Sequence, residues 1–124
     1  MTKLMRSNPS HIDYGDFKGL ISSNPNFVPS NVDGIAERNG RFLVMEWKRP
    51  DEKISTGQKM LLQALAKIPD RFTVIIINGN TDEETVINSF WLLTIEGKPY
   101  KRGAGLESFK TFYKEWYKWV NDEK

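Results

Sequence analysis

Glu46 and Lys48 are separated by one residue at the end of the run Phe42-Leu43-Val44-Met45-Glu46-Trp47-Lys48. The apolar density of that run predicts a strand, and side chains alternate along a strand with period two. Glu46 and Lys48 therefore share a face, and Trp47 takes the other. If Asp33 lies on a neighbouring strand, its carboxylate can converge on Glu46. Two carboxylates a few ångström apart repel each other and lose hydration, at a cost in free energy that a divalent cation between them removes. Such an ion also lowers the pKa of a bound water and stabilises charge on a phosphate oxygen, while an adjacent ammonium orients the water or neutralises the developing negative charge. The chemistry these residue types favour is metal-assisted hydrolysis of a phosphodiester.

Spacing alone does not single out this pair. An acid two residues before a lysine also occurs at Asp16, Asp51, Glu96 and Asp122. Only Glu46 combines an apolar strand with a preceding aspartate and a following capped helix. Asn31 to Glu37 and Arg41 to Lys48 are strand-like runs joined by Arg38-Asn39-Gly40, which suggests an antiparallel hairpin. Ser55-Thr56-Gly57-Gln58 matches a capping box, with Ser55 accepting from the Gln58 backbone N–H and Gln58 reaching back to Ser55. The helix that follows is expected to turn Leu61, Leu62, Leu65 and Ile68 inward and to end near Pro69. Arg71 to Asn78 has the β-branched density of a strand buried on both faces, so strand, helix and strand form a right-handed parallel crossover.

The flanking segments complete the expected architecture. Ile12, Phe17, Leu20 and Ile21 approximate helical spacing, although Gly15 and Gly19 weaken a helix there. Residues 22–31 read as one long loop. Val86 to Ile95 is a further strand, and Gly97 to Gly105 a hairpin or basic loop. Phe109, Phe112, Tyr113, Trp116, Trp119 and Val120 form one apolar face of a last helix, a pattern that serves a core more often than it stacks bases. The expected fold is a single α/β domain with a restriction-endonuclease-like core: a central mixed sheet flanked by the first, middle and C-terminal helices.

Composition narrows the cofactors and partners. The chain has 124 residues, no cysteine and one histidine. A thiolate or histidine-rich metal site is thereby excluded, and oxygen ligands suit magnesium, with manganese able to substitute. The absence of cysteine favours a reducing compartment, and neither a signal peptide nor a membrane-spanning run is apparent. A soluble, cytoplasmic protein is expected. The net charge of +2 does not by itself announce a nucleic-acid binder, but Arg49 and Lys53 cluster near one turn and Lys98, Lys101 and Arg102 near another. These basic residues are the candidates for holding a phosphate backbone.

The segments Asn31-Val32-Asp33-Gly34-Ile35, Gly40 to Pro50 and Ile54-Ser55-Thr56-Gly57-Gln58 together resemble the PD-(D/E)XK nuclease superfamily. Within it the resemblance is to small phage and bacterial nucleases of the VRR-NUC or Holliday-junction-resolvase kind, and it covers residues 31 to about 78. It implies that Asp33 and Glu46 ligate magnesium together with the backbone carbonyl of Trp47. It also implies that Lys48 is the catalytic lysine and that Gln58 reaches into the site. The proline that often precedes the first aspartate is replaced by Val32. The acid that many members carry on the first helix has no clear counterpart; Asp13, sharing a helical face with Phe17 and Leu20, is favoured over Asp16. The implied activity is cleavage of DNA, structure-selective or weakly sequence-specific, on branched or single-stranded substrates. A homodimer would serve to cut two strands. The rivals are a nucleic-acid-binding or inhibitor module on the same fold without hydrolysis, and a protein-interaction domain that docks through the aromatic last helix.

Overall fold

The structure, a computed structural model, describes residues 14–122. By its contacts the chain divides into a first unit that ends at Asn31 and a second that begins at Val32. The described part of the first unit contains one 3-10 turn, Gly15–Phe17, followed by turns closed by local backbone bonds such as Gly19 N–H to the Pro25 carbonyl (2.7 Å). The helix expected across Phe17, Leu20 and Ile21 is not formed, and these side chains are exposed. Gly19 adopts a φ of +83°, which a continuing right-handed helix cannot accommodate. Asp13, the favoured first-helix acid, lies outside the described residues.

The second unit is an α/β fold: a five-stranded mixed sheet flanked by two helices. The elements in chain order are β1 (Gly34–Arg38), β2 (Arg41–Lys48), α1 (Thr56–Ala66), β3 (Phe72–Asn80), β4 (Val86–Leu93), β5 (Pro99–Gly103) and α2 (Leu106–Asp122). The strands lie side by side in that same order. β1 and β2 are antiparallel, β2 and β3 parallel across the α1 crossover, and the remaining pairs antiparallel.

The first hairpin is tighter than its sequence suggests. Arg38 pairs with Arg41, leaving a two-residue loop in which Asn39 and Gly40 have φ of 56° and 78°. Two successive positive φ values match the right-handed twist of the strands they join, and Asn-Gly tolerates them best. The Asn39 amide then donates to the Val120 carbonyl at 3.1 Å, and Arg38 Nε to Asn121 Oδ1 at 2.9 Å, fastening the hairpin to the end of α2.

β3 is buried on both faces, as its β-branched run demands. Ile75 and Ile77 join Leu43, Ile87 and Phe90 against Phe109, Phe112, Trp116 and Val120 of α2. On the opposite face Val74 joins Val44 and Leu93 against Leu62 and Ala66 of α1. Ile68, expected inward, is 50% exposed. α1 ends at Ala66, so the chain has left the helical spiral before Ile68 is reached. Tyr113 and Trp119 lie at the exposed margins of α2 rather than in its buried stripe.

A register shift between Asn78 and Gly79 brings the β4 backbone onto Gly79. A Cβ there would collide with the Val86 carbonyl, a backbone group with no rotamer by which to escape. Gly79→Ala should therefore destabilise the fold by about 2 kcal/mol or more. The check is a lower urea midpoint with an unchanged m-value; a midpoint equal to the wild type would mean that β3 and β4 do not approach so closely.

Candidate active site

The candidate residues meet at the C-terminal end of β2, on the face that α1 covers. Gly34 pairs with Met45, so Asp33 sits just before β1, next to Glu46. Its carboxylate Oδ2 accepts the Trp47 backbone N–H at 2.8 Å. Asp33 is thus fixed by the backbone between Glu46 and Lys48, although it is not itself part of the ladder.

Glu46 is 2% exposed, the one charged residue buried among those described. Its Oε2 accepts from the Gln58 side-chain amide at 2.7 Å and lies 3.5 Å from Lys48 Nζ. Its Oε1 is buried with no hydrogen-bond partner among the described groups. Burial, and secondly the charge of Asp33, raise the Glu46 pKa from 4.5 to about 7 against the opposing pull of Lys48. An oxygen left without a donor in so dry a place is costly unless something electropositive meets it.

Gln58 serves both the start of α1 and the Glu46 carboxylate. Ser55 Oγ accepts the Gln58 backbone N–H at 3.2 Å, as expected. The Gln58 side chain, expected to turn back to Ser55, donates to Glu46. One residue thus fastens the first turn of α1 with its backbone and holds the carboxylate with its side chain.

Magnesium is commonly held by one or two carboxylates and keeps several waters, so Asp33, Glu46 and a backbone carbonyl form a suitable set of hard oxygen donors. The unpartnered Oε1 of Glu46, on a carboxyl whose pKa the Asp33 charge helps to raise, fits that role. Among the described residues no three acidic or histidine side chains cluster, so two carboxylates are what the described side chains offer. The Trp47 ring packs against the α2-side core, and Trp47 can contribute to the site only through its backbone.

The basic candidates are dispersed. Arg49 Nη2 pairs with Asp82 at 2.7 and 2.9 Å, an exposed contact. Arg102 lies 3.8 Å from Glu115 and over the Phe112 ring at 5.4 Å, on the α2 side of the sheet. Lys53, Lys98 and Lys101 are exposed. Two residues that the sequence reading passed over are Ser89 and Trp91 of β4, where the Trp91 indole N–H donates to Ser89 Oγ at 3.1 Å. Their signal was polar-x-aromatic spacing inside an apolar run, which puts both on one face. Among the described helices none is long and apolar enough to cross a membrane. Comparison with known proteins gives no matching family model, no matching curated protein and no matching solved structure.

The shifted carboxyl makes stability depend on pH. Between 4.5 and about 7 the folded chain keeps a proton on Glu46 that the unfolded chain has released. The stabilisation is full below the unfolded value and is lost as pH rises through about 7, with a magnitude on the order of 3 kcal/mol. Urea midpoints at pH 5 and pH 8, without divalent ions, should differ by less in Glu46→Gln than in the wild type. An equal difference in the two proteins would place the responsible group elsewhere.

Proposed function

We propose that the chain is a metal-dependent endonuclease with a restriction-endonuclease-like core, hydrolysing phosphodiester bonds in DNA with structure-selective or weak sequence preference. The observation that carries this reading is the buried Glu46 carboxylate, with one oxygen held by Gln58 and Lys48, the other oxygen unpartnered, and Asp33 near enough for its charge to raise the Glu46 pKa. The antiparallel β1–β2 hairpin followed by a helical crossover to parallel β3 supports the same reading, because it is the arrangement that brings an aspartate, a glutamate and a lysine to one strand end.

Magnesium, or manganese in its place, would be held by Asp33, Glu46 and the Trp47 carbonyl, and would supply a water of lowered pKa together with positive charge at a phosphate oxygen. Lys48 is held against Glu46 at 3.5 Å and is 17% exposed, so its ammonium faces the site with little freedom to wander. There it neutralises charge that develops on the phosphate and orients the attacking water. Gln58 and Lys48 engage Oε2 of Glu46, so that Oε1 would be left available to the ion. Asp33 is kept in place by the Trp47 N–H. Burial of Glu46 strengthens each of these electrostatic contacts.

The direct test is incubation with single-stranded, linear duplex and four-way-junction DNA, with magnesium and with EDTA. Magnesium-dependent cutting is expected, lost in Glu46→Gln with DNA binding retained, and reduced at least about a hundredfold in Lys48→Ala. Full cutting by Glu46→Gln, or binding of every substrate without cutting by the wild type, would refute the reading and favour a binding module. The two roles of Gln58 separate by substitution. Gln58→Ala keeps the backbone cap and should lose activity at least about tenfold. Ser55→Ala should lose about 1 kcal/mol of stability and keep the turnover number. The reverse pattern would assign Gln58 to the helix alone.

A further inference from the structure

Strand pairing lays one row of side chains across the face that bears Glu46. Glu46 pairs with Ile76 in β3, Ile76 with Trp91 in β4, and Trp91 with Lys101 in β5. Paired positions in neighbouring strands put their side chains on the same face, and strands are spaced about 4.8 Å apart. Lys101 therefore stands roughly 14 Å from Glu46 along a line that crosses Ile76 and Trp91. The adjoining row, toward the C-terminal ends of β2 and β3, holds Lys48, Asn78 and Ser89.

Trp91 is not accounted for by packing. Trp116 belongs to the α2-side core and Trp47 packs against it. Trp119 lies under the Arg41 guanidinium at 4.9 Å. Trp91 is partly exposed and is in neither core cluster. Its orientation is nevertheless set. The Ser89 hydroxyl takes its indole N–H in the plane of the ring, an arrangement that leaves the π faces uncovered by that contact.

The row is also bordered by positive charge. Lys101 is exposed and takes part in no ion pair among the described residues, whereas its neighbour Arg102 is turned to Glu115 on the other face. Lys53 and Lys59 rim a cavity of about 300 Å³ whose lining includes Ile76, the residue between Glu46 and Trp91. An oriented aromatic flanked by ammonium groups and leading to an acidic metal-type site is complementary to a chain of alternating bases and phosphates.

We propose that this row is the track of an unpaired DNA strand, with a nucleobase stacked on Trp91 and a backbone phosphate beside Lys101, a phosphodiester further along the strand being delivered to Asp33, Glu46 and Lys48. The proposal rests on the nuclease reading for the role of that centre and adds the substrate class. Stacking on an aromatic tolerates any base but requires one that is not already paired. The track therefore selects single strands, flaps or frayed ends over continuous duplex.

The test uses the full chain carrying Glu46→Gln, so that substrate is bound without being consumed, with a fluorescently labelled oligothymidylate and a blunt duplex as probes. Adding Trp91→Ala should weaken oligothymidylate binding about ten- to a hundredfold, with duplex binding unchanged. Trp91→Phe should restore most of the loss. Trp91→Leu, which keeps apolar bulk without a ring, should behave as Trp91→Ala and guards against a variant that merely fails to fold. Lys101→Ala should reduce the salt dependence of oligothymidylate binding by about one phosphate contact. Undiminished single-strand binding in both Trp91→Ala and Trp91→Leu, or equal losses on both probes, would overturn the track. Trp91-dependent binding in a wild type that cuts nothing would uphold the track and remove the nuclease reading. Cutting of single strands by Trp91→Ala with an unchanged KM would do the opposite.

Discussion

A carboxylate placed where water cannot reach it must be neutralised, paired or metal-bound, and Glu46 meets this constraint only in part. Lys48 and Gln58 satisfy one of its oxygens, and the other has no partner among the described groups. The surrounding fold can be read as the means of keeping that group where it is. β2 is central enough to bury it, the β1–β2 hairpin sets Asp33 beside it, and α1 both covers its face and supplies Gln58. A chain selected for stability alone would gain by replacing Glu46 with an apolar residue, so a carboxylate at such a position is an argument for function rather than for folding.

The division of labour between the two faces of the sheet follows from the same constraint. The larger hydrophobic cluster lies under α2, where four aromatic or aliphatic residues of the helix meet β2, β3 and β4. The smaller cluster under α1 seals only part of its face. That incomplete cover leaves the ends of β2 and β3 open enough for chemistry, while the opposite core holds the strands rigid. A site supported by strands rather than by loops keeps its geometry when solvent fluctuates.

Much of this was legible in the residues. The hairpin, the crossover, the doubly buried β3 and the apolar stripe of the last helix are written in periodicity, which reports burial directly. The shared face of Glu46 and Lys48 followed from alternation alone. What escaped was whatever depends on partners distant in sequence. The pairing of Arg49 with Asp82 and of Arg102 with Glu115 joins residues that no local pattern connects. Gln58 could be assigned to the cap or to the site, and only the third dimension shows that its backbone serves one and its side chain the other. Trp91 was hidden in an apolar run, because periodicity tells which face a side chain takes but not how far a helix extends over that face. The expected first helix failed where Gly19 takes a left-handed backbone angle, a local effect stronger than loose apolar spacing.

The bonds from Arg38 and Asn39 to the last turn of α2 tie together residues more than 80 positions apart. During synthesis β1 leaves the ribosome long before that turn exists. β1 can pair with β2 as soon as both have emerged, but the turn between them is clasped only when the last turn of α2 has been made. The last turn of α2 thereby braces one end of the hairpin whose other end carries Asp33.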